Sequence, residues 1–117
     1  MSSCIFCKIA EKKIPAEIKF ETDAIIIIED LHPQAAKHFL VIPKTHSASL
    51  EDLFKDEGAA KKTVAEMFSA ANQFAHKSGL LPSGYRSVIN TNENGGQTVF
   101  HVHMHLLGGE KLKGTFG

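Results

Sequence analysis

The stretch Phe100-His101-Val102-His103-Met104-His105-Leu106-Leu107 alternates imidazole and apolar side chains. Successive side chains of a β-strand point to opposite faces, so this stretch predicts a strand with three histidines on one face and an apolar face on the other. The imidazole face has three interpretations: a solvated surface, a metal site, or nucleophilic catalysis by the middle histidine. Three alternating imidazoles are unusual on a merely solvated face, and the spacing does not separate the other two interpretations.

The rest of the chain predicts an α+β fold. Apolar residues recur at helical spacing over residues 56–78, where Asp56 can cap the start and Gly79 can end the helix. Shorter predicted elements are helical turns at 6–13 and 50–54 and strands at 17–20, 24–29, 38–42 and 85–90. We therefore expect an antiparallel, meander-like sheet of five strands with the long helix on one face. An open second face or edge would favour a homodimer.

Composition limits the class of protein. The chain has 117 residues, a hydrophobic fraction of 43% and 13 basic against 13 acidic residues, which suits one domain over residues 1–117. A dedicated nucleic-acid-binding domain would normally be basic. The longest aliphatic run, 24–28, is far shorter than the ~20 residues that span a bilayer, and no secretory segment is expected at the N-terminus. These features predict a soluble, cytoplasmic protein without nucleic-acid or membrane partners.

A glycine-rich loop, Asn94-Gly95-Gly96-Gln97-Thr98, precedes the histidine stretch. Main-chain N–H groups freed by glycine, together with amide and hydroxyl side chains, can hold a phosphate or a developing anionic transition state. An ordinary hairpin turn is the simpler interpretation of this loop taken by itself.

Cys4-Ile5-Phe6-Cys7 has the spacing of a redox pair, of half a zinc site or of two incidental thiols. A redox motif of this kind should follow a strand, and only three residues precede Cys4. A closed zinc site needs two more ligands.

Together with three other segments, the histidine stretch resembles the Hint branch of the histidine triad (HIT) family of nucleotide hydrolases and transferases. The other segments are Asp-Leu-His-Pro-Gln-Ala at 30–35, His-Phe-Leu-Val-Ile-Pro-Lys at 38–44 and Gly-Gly-Gln-Thr-Val-Phe at 95–100. The resemblance implies a HIT-like fold and a homodimer with one continuous sheet. It also implies hydrolysis of purine nucleoside phosphoramidates, such as adenosine 5′-monophosphoramidate, and of aminoacyl adenylates.

The resemblance also assigns roles to positions of this chain. His103 matches the nucleophile that attacks the α-phosphorus and becomes nucleotidylated, with its other ring nitrogen on a backbone carbonyl. His105 matches a residue that holds a phosphate oxygen, and Asp30 matches the acid that accepts the ribose hydroxyls. The remaining active-site histidines are His101 and His38. Nucleotide contacts are expected from Asn90, Gly96, Gln97 and Thr98, and an apolar purine slot from Phe6, Ile9, Ile28 and Leu31. Plain core packing is the alternative interpretation of these last four.

Related bacterial proteins imply a structural zinc ion held by Cys4, Cys7, His46 and His101. Two other functions stay open. A dinucleoside polyphosphate hydrolase is disfavoured by the Gly-Gly-Gln-Thr-Val-Phe loop, and a nucleotide-binding interaction module without turnover is disfavoured by the intact triad. Residues 110–117 lack the Trp-containing tail of the eukaryotic Hint proteins, so the leaving-group preference stays open.

Overall fold

The computed structural model describes residues 3–114, and in that range five strands form one antiparallel sheet. The strands are β1 (Ile18–Glu21), β2 (Ile25–Glu29), β3 (Lys37–Pro43), β4 (Tyr85–Val88) and β5 (Met104–Gly108). The helices are α1 (Ile5–Ala10), α2 (Leu50–Leu53) and α3 (Glu57–Ser78). The predicted α+β class, with a five-stranded antiparallel sheet and one long helix, is confirmed.

The strand order, β1-β2-β3-β5-β4, departs from a simple meander in its second half. After β3 the chain passes through α2 and α3 and forms the edge strand β4, and β5 then returns between β4 and β3. The histidine-bearing strand is therefore central, and its main-chain groups pair with a neighbour on each side. A central position suits a strand that buries Met104, Leu106 and Gly108.

Local signals define α3 almost to the residue. The Asp56 side chain accepts a hydrogen bond from the Ala59 N–H at 3.1 Å, and Gly79 ends the helix with a φ of 82°. The Phe74 ring packs edge-on against Phe39 with 4.7 Å between centroids. The α3 face and the sheet share one core, which includes Val102 and the strand residues Ile25, Ile27, Phe39, Val41, Met104 and Leu106. The predicted apolar side of the histidine stretch is confirmed.

A second apolar cluster lies on the opposite face of the sheet. Phe6 and Ile9 of α1 pack there against Ile26, Ile28, Leu40 and Ile42. Helix α1 therefore covers part of the face that the sequence left open, and dimerisation stays a prediction. No helix within residues 3–114 combines the length and apolar character that crossing a membrane requires.

The strand predicted over 100–107 begins only at Met104. The β3–β5 ladder pairs Val41 with Met104, and Pro43, two residues further on, has no N–H to extend it. The main chain before β5 bonds elsewhere, since the Val102 N–H donates to the Ser47 carbonyl at 2.9 Å. Of the three histidines, only His105 lies within β5.

Candidate active site and metal centre

His103 is buried and has one defined tautomer. Its Nδ1 lies 2.7 Å from the main-chain oxygen of His101. Because a carbonyl oxygen only accepts, Nδ1 carries the hydrogen and Nε2 of the neutral ring keeps its lone pair. The ring of Phe6 packs edge-on against His103 at 5.1 Å between centroids. In the neutral ring this arrangement puts the lone pair on a nitrogen of fixed orientation, as nucleophilic attack requires.

His105 has the opposite tautomer, which is set through His38. The Gln34 N–H donates to His38 Nδ1 at 3.0 Å, so the hydrogen of the neutral His38 ring must lie on Nε2. That Nε2 is 2.9 Å from His105 Nδ1 and donates to it, so His105 carries its own hydrogen on Nε2. The neighbouring rings of His103 and His105, 5.1 Å apart, thus offer a lone pair and an N–H donor.

Burial lowers the pKa of three of the site's histidines, His105, His38 and His101. It is the main reason that the pKa of His105 falls to about 4, and the nearby His103 and His38 rings lower it further while Asp30 opposes them. Burial also lowers the pKa of His38, against the attraction of the Asp30 carboxylate. Burial likewise lowers the pKa of His101, although its bond to a carbonyl oxygen acts in the other direction.

Asp30 lies beside the hydrogen-bonded pair His38 and His105. Its Oδ1 accepts a hydrogen bond from the His32 N–H at 2.8 Å, which closes a turn, and its Oδ2 lies 3.4 Å from His38 Nε2. One carboxylate oxygen therefore closes the turn at residues 30–32, and the other faces the His38 ring. The Asp30 side chain is partly buried.

The structure brings together three of the four residues predicted to hold a purine. Phe6, Ile9 and Ile28 share the second apolar cluster, beside His103. Leu31 stands apart, with 88% of its surface exposed. Core packing accounts for much of the burial of Ile28. Leu31 is exposed, so core packing does not explain why an apolar residue stands at this position.

The glycine-rich loop is organised by Gln97. The side-chain amide of Gln97 donates to the carbonyls of Ala48 and Val99, at 2.7 and 3.1 Å, and its Oε1 accepts from the Asn92 N–H at 2.8 Å. Its main-chain N–H donates to the Asn92 carbonyl at 3.1 Å. All N–H donors of Gln97 are therefore used within the protein. These bonds brace the loop, and the nucleotide contact expected of Gln97 stays a prediction.

Two other predicted contact residues, Gly96 and Thr98, belong to this loop, and Asn90 precedes it. Gly96 is exposed with a φ of 81°, and Asn90 is partly buried just after β4. Thr98 is exposed on a cleft of about 590 Å³ that also reaches Cys4, His46 and Phe100. The structure therefore places Thr98 at the surface, on the same cleft as Cys4.

Cys4, Cys7, His46 and His101 converge, although they lie up to 97 positions apart. Each offers one ligand atom, and these atoms all lie within 4.8 Å of one another. The separations are 3.4 Å (Cys4 Sγ–His101 Nδ1), 3.3 Å (Cys7 Sγ–His46 Nδ1), 3.5 Å (Cys7 Sγ–His101 Nδ1) and 3.2 Å (His46 Nδ1–His101 Nδ1). Donor atoms of a tetrahedral Cys₂His₂ zinc site stand about 3.3–3.8 Å apart, so the four residues fit zinc.

The outer nitrogen of His101 agrees with metal binding. His101 Nε2 lies 2.6 Å from the Pro43 carbonyl and donates to it, so the lone pair is on Nδ1, which faces the cysteines. Metal-binding histidines commonly donate their second N–H in this way. A second group, Asp30, His38 and His105, is also close enough to hold a metal ion. There the Gln34 N–H donates to His38 Nδ1, so Nε2 carries a hydrogen and is not a ready ligand.

Comparisons with known proteins agree with this geometry. The family model described as "Scavenger mRNA decapping enzyme C-term binding" matches residues 3–115. A purine nucleoside phosphoramidase of Escherichia coli K12 is 37% identical over 108 residues, covering 92% of this chain and 88% of the relative. The crystal structure of a HIT family hydrolase from Legionella pneumophila is 42% identical, with a TM-score of 0.88 and coverage of 96% of this chain and 97% of that one.

Two further structures extend the comparison. A histidine triad protein from Clostridium difficile has a TM-score of 0.92 at 37% identity, covering 99% of this chain and 98% of its own. A zinc-bound histidine triad family protein from Mycobacterium smegmatis has a TM-score of 0.78 at 36% identity, covering 96% and 81%. The fold, the histidine stretch and these similarities define a protein of the HIT class. This chain belongs to the histidine triad family.

The backbone carbonyl expected on the second ring nitrogen of His103 is present, and it belongs to His101. Sequence reasoning missed the Gln34 N–H, which sets the tautomers of His38 and His105, and the Pro43 carbonyl, which sets that of His101. No residue type signals such main-chain contacts. It also missed the hydrogen bond from the Ala36 N–H to the Glu110 carboxylate.

Proposed function

We propose that this protein hydrolyses purine nucleoside 5′-phosphoramidates, and also aminoacyl adenylates, through a nucleotidyl intermediate on His103. The observation that carries the proposal is the pair of opposite tautomers on His103 and His105, which sets a nucleophilic nitrogen beside a hydrogen-bond donor. The 37% identical relative named purine nucleoside phosphoramidase supports the choice of substrate. Hydrolysis of a nucleotide substrate is the broader form of the proposal.

The proposed reaction has two displacements at phosphorus. First, the Nε2 lone pair of His103 forms a bond to the α-phosphorus, and the P–N bond of the phosphoramidate breaks as the leaving nitrogen takes up a proton from solvent. The His103 Nδ1–H keeps its bond to the His101 carbonyl, which stabilises the positive charge that the ring gains. Water then attacks the phosphorus, and the P–Nε2 bond breaks, so that Nε2 regains its lone pair. The attacking water gives one proton back to solvent, and AMP leaves.

Neighbouring groups would bind the substrate. The His105 Nε2–H would donate to a non-bridging phosphate oxygen, where it stabilises charge that grows in the transition state. Thr98, Asn90 and the main chain at Gly96 would give further polar contacts. Asp30 would accept the ribose hydroxyls, and the purine would lie against Phe6, Ile9, Ile28 and Leu31. Exposed Leu31 would then cover the base.

Zinc held by Cys4, Cys7, His46 and His101 is part of the proposal. Bound zinc would supply a structural crosslink between α1 and the main chain that carries His103. The matched donor separations and the Pro43 contact support it. Metal analysis of protein purified without chelator should give about one zinc per chain. A Cys7→Ser variant should lose most of it, and a wild-type value far below one would contradict zinc binding.

We also propose a cytoplasmic homodimer. The edge strand β4 supports the dimer, because it leaves one side available for pairing with a second copy. Sedimentation equilibrium of the full chain tests it, and a monomer at every concentration would exclude the dimer.

The first test of the activity is AMP release from adenosine 5′-monophosphoramidate by wild type, His103→Ala and the control His76→Ala. His76 is an exposed residue of α3, so its substitution should leave turnover unchanged. We expect His103→Ala to lose turnover while it still binds AMP by calorimetry. Equal turnover in wild type and His103→Ala would exclude His103 as the nucleophile. Preference for dinucleoside polyphosphates, or AMP binding without any turnover in wild type, would replace the proposed function.

A further inference from the structure

The loop between β2 and β3, residues 30–36, carries two groups that organise the site. It presents the Asp30 carboxylate and the Gln34 N–H that sets the tautomers of His38 and His105. Residues 31–34 and 36 are exposed, so little packing fixes their positions. A loop of this kind needs specific hydrogen bonds to keep one conformation.

Glu110 supplies such a bond from far along the chain. Its Oε2 accepts a hydrogen bond from the Ala36 N–H at 2.7 Å, across 74 positions. Hydrogen bonds to a carboxylate are stronger than those between neutral groups. The opposite end of the loop is held by Asp30 Oδ1 on the His32 N–H. The loop is thus fixed near both of its ends.

The backbone after β5 brings Glu110 to this position. Lys37 and Gly108 form the last pair of the β3–β5 ladder, so Ala36 lies one residue beyond it. Gly109 then turns the chain with a φ of 79°, and a Cβ there would lie 2.8 Å from Lys37 Cγ. Only glycine allows this close turn, and it places the next side chain beside the Ala36 N–H.

The segment that carries Glu110 is itself held. Arg86 of β4 donates from Nη2 to the Lys113 carbonyl at 2.8 Å. Residues 110–113 are therefore attached to the sheet edge on one side and to the loop on the other. Because its own segment is anchored, the Glu110 carboxylate can restrain the loop.

We propose that Glu110 is a positioning residue of the nucleotide site, which holds loop 30–36 in the conformation that binds nucleotide. The inference rests on the proposed function for its ligand, AMP. Loss of the bond lowers the fraction of molecules with a competent loop, and the apparent affinity falls by that fraction. For one exposed hydrogen bond the equilibrium between the competent loop and other conformations changes about fivefold, which is the upper limit of the loss in affinity.

The test compares Glu110→Ala, Glu110→Gln and the control Glu17→Ala. Glutamine keeps an oxygen acceptor without the charge, and Glu17 is an exposed residue outside the loop and the tail. Amide hydrogen exchange at Ala36 is measured in the ligand-free proteins, and AMP affinity is measured by calorimetry. In Glu110→Ala we expect exchange at Ala36 to be about fivefold faster or more, and AMP affinity to be measurably weaker, by at most about fivefold. Glu110→Gln should stay within about twofold of wild type, and Glu17→Ala should not change.

Two results would overturn the inference. Unchanged AMP affinity in Glu110→Ala would show that Glu110 does not position the nucleotide site, even with faster exchange at Ala36, because the Ala36 N–H loses its own acceptor in this variant. Equal defects in Glu110→Ala and Glu110→Gln would show that the hydrogen bond is not the cause. Failure of the proposed function would look different, because wild type would then show no turnover while Ala36 exchange still responded to Glu110.

Discussion

His105 makes the fold sensitive to acid between pH 6.5 and pH 4. Its pKa is about 4 in the folded protein because burial and the neighbouring imidazoles disfavour the charged ring. In an unfolded chain a histidine has a pKa of about 6.5. Within this window the unfolded chain binds a proton that the folded protein excludes. The free energy of unfolding therefore falls as the pH is lowered through it, and His105 contributes no pH dependence above it.

The size of the effect follows from the two pKa values. Between pH 7 and pH 4.5 the shift in the pKa of His105 lowers the free energy of unfolding by about 2.4 kcal/mol, since each pKa unit corresponds to about 1.36 kcal/mol. The ring is only partly enclosed, so screening by solvent reduces the expected loss to about 1–2 kcal/mol. His38 contributes in the same direction, because burial lowers its pKa as well.

Denaturant unfolding at pH 7 and pH 4.5 measures this loss in wild type and His105→Asn at equal metal content. We expect the variant to lose about 1–2 kcal/mol less than wild type between the two pH values. His76→Asn removes an exposed histidine and should keep the wild-type loss. The same pH dependence in wild type and His105→Asn would refute the explanation based on burial.

Two further substitutions test the loop and the core. A Cβ at Gly95 would lie 2.6 Å from the Thr91 carbonyl oxygen. Gly95→Ala should therefore displace the glycine-rich loop and weaken AMP binding, measured by calorimetry, by about tenfold or more. Wild-type AMP affinity in this variant would contradict a rigid loop. Phe74→Ala removes the ring that packs on Phe39, so it should lower the free energy of unfolding, measured by urea titration, by about 3–5 kcal/mol. A loss below about 1 kcal/mol would contradict this packing.

Elements with local signals could be predicted from the sequence, and elements that depend on distant partners could not. The capping residues and the periodicity of α3 lie within the helix, so both ends were predictable. The start of β5 depends on Pro43 and Ser47, more than 50 positions away, and alternation alone placed it four residues too early. Strand order likewise depends on which neighbours a strand meets after a long connection.

The same distinction holds for the site. The histidines and cysteines were visible because their side chains carry the chemistry, and the predicted convergence of Cys4 and Cys7 with His46 and His101 is present. The roles of these residues stay predictions. The bonding of Gln97 was not predictable, because its partners are carbonyl and N–H groups that every residue possesses. Glu110 gave no signal, since an exposed glutamate in a tail is ordinary.

The central position of β5 has a consequence for motion. Met104 and Leu106 are buried against α3, and their strand is bonded on both sides, so their amide hydrogens should exchange only when the whole protein unfolds. His105 lies between them on the same backbone. The backbone at His105 therefore does not open locally. Any motion that admits or releases a ligand must come from the loops at the margins of the site.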